Sequence, residues 1–361
     1  MLELAMASDA VSRARLRVID ANLNRAGEGL HLLEDVARLM LNDGGLTQQL
    51  KTIRHEILRS DRAFNQQLIQ SRDSEADVGI EPPEAKEREL PLMVVANARR
   101  VQESLRILEE LAKIPDTAPK LDPQKFKQAR FALYTIEQKL LSKLLRQDKT
   151  GQLTGLYAVI DSEVLGGRRH IEVAEELIRG GAKIIQFRDK SRDKSERLSI
   201  TQGLKDLCSR HGALFIVNDY IGLALATDAD GLHLGQKDLP VSVARKILAI
   251  DKIIGCSVTT VDQARAAEAD GADYVAAGSI YPTSSKEGAV VVGLEGLRQI
   301  KQAVSLPVVA IGGINKDNAA EVLAAGANSV AVISAILKAE DIKEATRQII
   351  AAFGAGNGQT D

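Results

Sequence analysis

The second part of the sequence alternates short apolar runs with amphipathic segments, and this alternation restricts the fold more than any other feature. Eight apolar runs are each followed by polar residues, and the amphipathic segments tend to end in glycine just before the next run. Such runs suit the buried strands of a parallel sheet, whose neighbouring strands are joined by helices. Eight strand–helix units in about 210 residues predict a (β/α)8 TIM barrel.

The pattern also predicts where these elements lie. The predicted strands are Leu156–Ile160, Ile184–Phe187, Leu214–Val217, Gly231–Leu234, Lys252–Gly255, Tyr274–Ala277, Val308–Ile311 and Ser329–Val332. The predicted helices between them include Ile171–Arg179, Val241–Leu248, Val261–Ala269 and Lys316–Ala325.

The first part of the sequence has helical periodicity instead, so we predict an α/β protein in which an all-α helical-bundle domain precedes the barrel. The domains are expected at residues 1–150 and 151–361. Residues 72–91 contain adjacent prolines and many charges, which predicts a long loop. The predicted helices are Val11–Leu41, Thr47–Leu68, Leu92–Lys113 and Pro123–Leu145, arranged as a four-helix bundle.

The helical part contains an internal repeat, in which residues of the first helix recur 75 positions later. The first copy is Asn22, Arg25, Glu28, Leu30, Leu33, Glu34 and Ala37, and the second is Asn97, Arg100, Glu103, Leu105, Leu108, Glu109 and Ala112. Arg54 has a near counterpart in Arg130. The repeated polar residues lie three apart on one helix face, so they form either interhelical ion pairs or a polar pocket between the hairpins.

Composition excludes several classes of protein. The net charge of −2 shows no basic excess, so neither nucleic acid nor a membrane surface is expected as a partner. The sequence has neither a segment of about 18 apolar residues nor a secretory signal. Cys208 and Cys256 lack the spacing of a zinc site or a disulfide framework. We therefore expect a cytoplasmic protein that acts on small molecules, and self-association into a homo-oligomer is compatible with these features.

Two carboxylates follow neighbouring predicted strands, Asp219 after the third and Asp238 after the fourth. Because parallel strands of this fold direct their carboxyl ends towards one mouth, the two side chains could share a site. Two carboxylates that leave other positions open suit Mg²⁺, which keeps waters and substrate phosphates as further ligands. The alternative is that both residues are helix N-caps.

Two anion sites are predicted at the same mouth. Gly312-Gly313 after strand seven and Ser334 after strand eight occupy the positions of the recurrent phosphate site of this fold, although a tight turn would also explain the glycines. Arg188, Lys190 and Lys286, together with a metal, would suit a diphosphate. No nucleophile or general-base constellation is evident apart from His233, which is either a base or a structural residue. We therefore expect loss of diphosphate to drive the reaction.

Five motifs, in this order and spacing, resemble those of thiamine phosphate synthases. They are Gln186-Phe-Arg-Asp-Lys190, Asn218-Asp219, His233-Leu-Gly-Gln236 with Asp238, Pro282-Thr-Ser-Ser-Lys286 and Ile311-Gly-Gly-Ile314. The resemblance spans the whole predicted barrel. It implies a transferase that uses Mg²⁺ to join 4-amino-2-methyl-5-hydroxymethylpyrimidine diphosphate to a thiazole phosphate, with or without a carboxylate, and releases diphosphate through a pyrimidine cation.

The resemblance also implies roles for individual residues. Asp219 and Asp238 would bind Mg²⁺. Catalytic roles would fall to Arg188, Lys190, Ser257 and Lys286. The substrates would contact Gln186, Phe187, Arg188, Asp189, Lys190, Asn218, Gln236, Ser257, Thr283, Ser284, Ser285, Lys286, Gly313, Ile333 and Ser334. Asp189 stands where the family usually has Glu, and Ser285 where Thr is common, so a carboxylate and a hydroxyl are both retained.

Several alternatives stay open. The barrel could be a thiazole tautomerase or another phosphate-substrate isomerase, but neither would use the carboxylate pair. A regulatory or scaffolding protein would be expected to have lost the site. The helical part resembles an extension found ahead of some bacterial thiamine phosphate synthases, whose relatives have been proposed as hydroxymethylpyrimidine phosphate kinases. It lacks a Gly-x-x-x-x-Gly-Lys-Ser/Thr loop, so a kinase and an interaction module both remain interpretations.

Overall fold

The structure of the chain is a computed structural model. It consists of two compact units, residues 1–145 and 146–361. The structure describes residues 2–59, 62–72, 89–115, 121–283, 288 and 290–355. Most of the loop predicted at residues 72–91 lies outside the described residues. No helix in the described ranges combines the length and the apolar character needed to cross a membrane.

The first unit consists of helices, as predicted. They are α1 (Leu2–Asp35), α2 (Gly44–Leu58), α3 (Arg62–Ser71), α4 (Leu90–Leu111) and α5 (Pro123–Gly151), and α1 continues into a π-helical turn at Val36–Met40. The Asp43 side chain caps α2 by accepting a hydrogen bond from the backbone N–H of Leu46 at 2.9 Å. α1 packs against α4, α2 and α3, and the buried faces share one apolar core.

Three predicted helix boundaries in this unit are wrong. α1 begins at Leu2, nine residues before the predicted start at Val11. The single helix predicted from Thr47 to Leu68 is interrupted, because Arg59 leaves the helical conformation after α2 and a new helix begins at Arg62. The apolar pattern continues through this interruption, since Ile57 and Phe64 face the same core. The last helix, α5, continues six residues beyond the predicted end at Leu145, so these final residues belong to the second unit.

The internal repeat appears in the structure as two equivalent ion pairs. Arg54 of α2 bonds Glu34 of α1 at 2.9 Å, and Arg130 of α5 bonds Glu109 of α4 at 2.8 Å. The repeated asparagines are also equivalent, because Asn22 and Asn97 each donate to the carbonyl oxygen four residues earlier. These contacts agree with the interpretation of the repeat as interhelical ion pairing. The repeated Arg25, Glu28, Arg100 and Glu103 are exposed.

The second unit is a closed barrel of parallel strands in the order β1 to β8, which confirms the predicted fold. The strands are β1 (Gly155–Asp161), β2 (Ile184–Arg188), β3 (Leu214–Asn218), β4 (Gly231–Leu234), β5 (Ile253–Val258), β6 (Tyr274–Gly278), β7 (Val308–Ile311) and β8 (Ser329–Val332). The helices are α6 (His170–Arg179), α7 (Lys194–His211), α8 (Ile221–Ala226), α9 (Val241–Ile247), α10 (Val261–Ala269), α11 (Gly293–Ala303), α12 (Ala319–Ala324), α13 (Ser334–Leu337) and α14 (Ile342–Ala355).

Strand alternation produces two cores, one inside the barrel and one between the strands and the helices. Tyr157, Ile216 and Tyr274 belong to the inner core, whereas Phe187 and Phe215 belong to the outer one. Residues two apart therefore face the same core, and the last inward residue of each strand lies at the mouth. This periodicity determines which of the predicted site residues can meet a substrate.

Candidate active site

Arg188 lies at the end of β2 and is held by a residue that the sequence analysis did not single out. In the register of β1 and β2, Asp161 is opposite Arg188, and its carboxylate accepts a short hydrogen bond from the guanidinium. The Asp161 side chain is buried, while that of Arg188 is 20% exposed. A paired but accessible guanidinium is fixed in position and still offers donors to an anion. Asp161 directly follows the apolar run of β1, as Arg188 follows that of β2. The sequence signal used for Arg188, a polar residue at the carboxyl end of a predicted strand, therefore also identifies Asp161.

Alternation separates the predicted motif from Gln186 to Lys190 into two sets. Phe187 lies in the outer core and its ring meets that of His170 edge to face, with 5.5 Å between the centroids. The buried Asp189 carboxylate accepts hydrogen bonds from Ser162, Arg192 and the backbone of Ser191. Both side chains therefore pack away from the barrel mouth and stabilise the loop after β2, and the predicted contact of Phe187 and Asp189 with the substrate would have to involve their backbone atoms.

Asp219 and Asp238 are brought together, as the sequence predicts. Burial and the hydrogen-bonded Asp238 carboxyl raise the pKa of Asp219 to about 6, while Lys190 and Arg188 act in the opposite direction. Asp219 has a φ of +62°, an unusual conformation for a residue other than glycine, and its backbone N–H donates to the His233 carbonyl oxygen at 2.8 Å. Two adjacent carboxylates beside two cationic side chains form a site in which a cation would relieve the repulsion.

Neither aspartate is a helix N-cap, so that alternative is wrong. The residue before α8 is Tyr220, and the residue before α9 is Pro240. Asp238 instead accepts a hydrogen bond from the backbone N–H of Gly235 at 2.7 Å. That bond folds the turn after β4 so that the carboxylate lies at the mouth beside Asp219. Among the residues that the structure describes, no group of three or more His, Cys, Asp or Glu side chains could hold a metal.

The neighbouring strands contribute polar groups around this pair. Asn218 ends β3 and is mostly buried, and Lys190 is exposed. The Gln236 side-chain amide donates to the backbone carbonyl oxygen of Ser257 at 2.7 Å, so the turn after β4 is tied to β5. Ser257 is partly exposed, and its hydroxyl lies 2.9 Å from Nε2 of His233. Gln236 therefore positions the loop beside Ser257.

The predicted phosphate site involves close contact between the loops after β6 and β7. Gly312 and Gly313 have positive φ values of +104° and +68°. A Cβ atom on Gly313 would lie 2.7 Å from Cβ of Tyr281 and 2.8 Å from the carbonyl oxygen of Pro282. Glycine is therefore required by the positive φ and by the close packing, which agrees with the alternative that these residues form a tight turn.

The remaining predicted phosphate ligands lie near the ends of β7 and β8. Gly313, Ile333 and Ser334 are partly exposed, and Ser334 begins the short helix α13 directly after β8. A short helix after β8 is a recurrent part of phosphate sites in this fold. Thr283 is also partly exposed. The predicted site residues Ser284, Ser285 and Lys286 lie outside the described residues.

The closed barrel and its mouth define a (β/α)8 enzyme with a carboxylate pair and adjacent cationic groups at the carboxyl ends of its strands. Comparison with known proteins specifies the family. Residues 156–336 match the family model described as thiamine monophosphate synthase, and residues 17–139 match the ThiD2 family. The chain belongs to the thiamine monophosphate synthase family.

Similar proteins cover both units or the barrel alone. A thiamine-phosphate synthase of Thermosynechococcus vestitus is 38% identical over 361 residues, which cover 99% of both chains. A thiamine-phosphate synthase of Gloeobacter violaceus is 39% identical and covers 90% of this chain and 93% of its own. A solved thiamine phosphate pyrophosphorylase from Pyrococcus furiosus is 43% identical, with a TM-score of 0.53, and covers 58% of this chain and 100% of its own.

Proposed function

We propose that the barrel condenses 4-amino-2-methyl-5-hydroxymethylpyrimidine diphosphate with 4-methyl-5-(2-phosphoethyl)thiazole, or its carboxylated form, and releases thiamine phosphate and diphosphate. The observation that supports this function best is the carboxylate pair Asp219 and Asp238 beside Arg188 and Lys190. A tautomerase or a simple phosphate-substrate isomerase would have no use for that arrangement. Family membership over the full chain supports the same reaction.

The carboxylate pair fits Mg²⁺. The pKa of Asp219 is raised by burial and by the neighbouring Asp238, and a divalent cation would remove that repulsion. Mg²⁺ binds through one or two carboxylates and keeps its other positions for water and phosphate oxygens. When bound, the ion would supply charge neutralisation for the diphosphate.

The protein side chains would stabilise the departing group. The bond between the pyrimidine methylene carbon and the diphosphate oxygen breaks, the electron pair leaves with diphosphate, and the thiazole nitrogen forms the new bond to the methylene carbon. Arg188, oriented by Asp161, and the exposed Lys190 would bind the departing oxygens. Ser257 would donate a further hydrogen bond. Stabilisation of developing charge by such preorganised donors is a large catalytic term.

The thiazole phosphate would bind at the carboxyl ends of β7 and β8, where glycine backbone and side-chain hydroxyl groups are partly exposed. Gly313 and Ser334 would contact its phosphate, and Thr283 and Ile333 would line the same side. Because Gly313 packs against Pro282, the loop after β6 and the loop after β7 would form one wall of this site.

The proposal is tested by omitting one component at a time. The full chain, given both substrates and Mg²⁺, should form thiamine phosphate, and omission of any of the three should abolish it. Thiazole phosphate alone should be returned unchanged. Conversion of one thiazole tautomer into another without the pyrimidine diphosphate would support the tautomerase alternative and contradict the synthase.

The helical unit has a second candidate function, phosphorylation of the pyrimidine monophosphate to the diphosphate. The match of residues 17–139 to the ThiD2 family favours it over the alternative of an interaction module. The described residues of this unit are helical or connect helices, so an ATP site there would differ from a strand-to-helix phosphate loop. The Asp219→Asn full chain, given the pyrimidine monophosphate and ATP, should accumulate the diphosphate because the barrel cannot consume it. No ADP formation would favour the interaction module.

A further inference from the structure

A continuous chain of hydrogen bonds crosses the interior of the barrel and ends at the mouth. The Gln186 side-chain amide lies 3.0 Å from the Tyr157 hydroxyl, which lies 2.8 Å from that of Tyr274. The Tyr274 hydroxyl lies 3.1 Å from Nδ1 of His233, and Nε2 of His233 lies 2.9 Å from Oγ of Ser257. The first four side chains are buried, and only Ser257 is partly exposed. The five residues come from five different strands, so the chain depends on the closed barrel.

The donors and acceptors of this chain have one consistent direction. The amide nitrogen of Gln186 can only donate, so the Tyr157 oxygen accepts from it. Gln186 and Tyr274 are the hydrogen-bond partners of the Tyr157 hydroxyl among the described residues. The Tyr157 proton must therefore go to Tyr274, because otherwise a buried donor would have no acceptor.

The same logic determines the tautomer of the histidine. The Tyr274 oxygen accepts from Tyr157, so its own proton is directed to Nδ1 of His233. A neutral imidazole that accepts at Nδ1 has its proton on Nε2, and that proton is donated to Oγ of Ser257. Burial raises the pKa of both Tyr157 and Tyr274, so both phenols keep the protons that the chain requires. The Ser257 hydroxyl proton is then left to point elsewhere.

We propose that Tyr157, Tyr274 and His233 are positioning residues that make Ser257 a hydrogen-bond donor towards the mouth. The proposal rests on the proposed function, in which Ser257 faces a diphosphate whose oxygens only accept hydrogen bonds. If the chain had the opposite direction, Ser257 would donate inward to His233 and present lone pairs to the anion. The direction of hydrogen bonding inside the barrel would thus determine whether Ser257 attracts or repels the departing group.

The first test reads the tautomer of His233 directly in the full chain. Nitrogen-15 NMR of the histidine rings, with His233 assigned by the loss of its signals in His233→Gln, should show a proton on Nε2 and none on Nδ1. A proton on Nδ1 would mean that the chain runs in the opposite direction and would overturn the proposal. The measurement needs no substrate and observes the unaltered chain. If the buried His233→Gln variant fails to fold, the change in the Nε2 signal in Ser257→Ala, a variant of a partly exposed residue, assigns the ring instead.

The second test asks whether Tyr274 acts through Ser257. Ser257→Ala should lower kcat about tenfold to a hundredfold, because a hydrogen bond to a developing charge is lost. Tyr274→Phe should lower kcat about tenfold with a smaller change in the KM of the pyrimidine diphosphate. In the Ser257→Ala background, the same Tyr274→Phe change should have no further effect. Tyr134→Phe, which removes a phenol hydroxyl in the helical unit, should leave the rate unchanged.

The outcomes separate the proposal from simpler explanations. An equal loss of kcat from Tyr274→Phe in both backgrounds would show a general structural role and overturn the positioning role. Tyr157→Phe should have a smaller effect than Tyr274→Phe, since Tyr274 can still donate to His233, and the reverse order would also contradict the proposal. If the wild-type chain forms no thiamine phosphate, the proposed function fails, while the His233 tautomer still decides the direction of the chain.

Discussion

Replacement of Asp219 by asparagine should stabilise the metal-free protein while it destroys the activity. Asparagine keeps the size of the side chain and tolerates the positive φ of this position, so the backbone should not be strained. The change removes a carboxylate whose pKa is raised to about 6 by burial and by the Asp238 carboxyl. The charged form of Asp219 therefore opposes folding at neutral pH, and its removal is favourable.

The size and the pH dependence of this gain follow from the shift. A rise in the pKa of Asp219 from about 4 to about 6 corresponds to a loss of roughly 2–3 kcal/mol in unfolding free energy at neutral pH. Solvent screening of this partly exposed carboxylate reduces the loss to about 1 kcal/mol. For a unit of this size that equals about 2–4 °C in Tm. A raised carboxyl pKa means that the stability is present at low pH and is lost as pH rises through about 6. The gain from Asp219→Asn should therefore vanish near pH 4 and be complete above pH 6.

The assay compares Tm in the presence of a chelator with the rate of thiamine phosphate formation in Mg²⁺. Asp219→Asn should lose about a hundredfold or more in rate. Asp228→Asn is a matched control, because Asp228 also has a positive φ but is exposed and pairs with Lys252 at 2.5 Å. The control should keep its rate and show no gain in Tm. A normal rate in Asp219→Asn, or a loss of Tm, would refute the assignment of the carboxylate pair.

Three further predictions concern other parts of the molecule. Gly313→Ala should lower the unfolding free energy by about 2–4 kcal/mol and raise the KM of thiazole phosphate, because backbone strain from the positive φ adds to a steric clash of the new Cβ atom. Gly212→Ala is the control, since Gly212 has φ +66° but nothing within 4 Å, and it should lose only about 1 kcal/mol and keep its kinetics. Equal losses of stability in the two variants would contradict the packing argument. Asp161→Asn should lower kcat/KM for the pyrimidine diphosphate about tenfold, since Arg188 loses its orienting partner, and unchanged kinetics would count against that role. Glu109→Gln should lower the unfolding free energy of the helical unit by about 1–3 kcal/mol at pH 7. The hydrogen bond from Arg130 lowers the pKa of Glu109, so the stability difference between the variant and the wild type should shrink as pH falls below about 4. A pH-independent difference in urea unfolding would contradict this prediction.

The sequence predicts the barrel closely where strands are short, apolar and buried. The bounds of β4, β7 and β8 agree with the prediction to the residue. β1, β2 and β3 are longer than predicted because each ladder continues into a polar residue, Asp161, Arg188 or Asn218. These three polar residues face the barrel mouth. A prediction based on apolar runs ends each strand one residue too early, and the residue that it leaves out is one that contributes to the site.

The site itself is predicted less completely, for two physical reasons. Contacts between different strands, such as Asp161 with Arg188, depend on the register of the sheet, which no local pattern encodes. A motif read as one block also ignores strand alternation, which directs the side chains of Phe187 and Asp189 away from the barrel mouth. The interior Tyr157 was missed because a tyrosine within an apolar run resembles an ordinary core residue.

The central claim is that the mouth is a metal-assisted diphosphate site, and binding of inorganic diphosphate tests it most directly. Calorimetric titration of the full chain should show binding in Mg²⁺ that weakens strongly in a chelator. Asp238→Asn should weaken binding in Mg²⁺ and have little effect in the chelator, because the carboxylate acts through the ion. Equal affinity with and without Mg²⁺, unaffected by Asp238→Asn, would contradict the account.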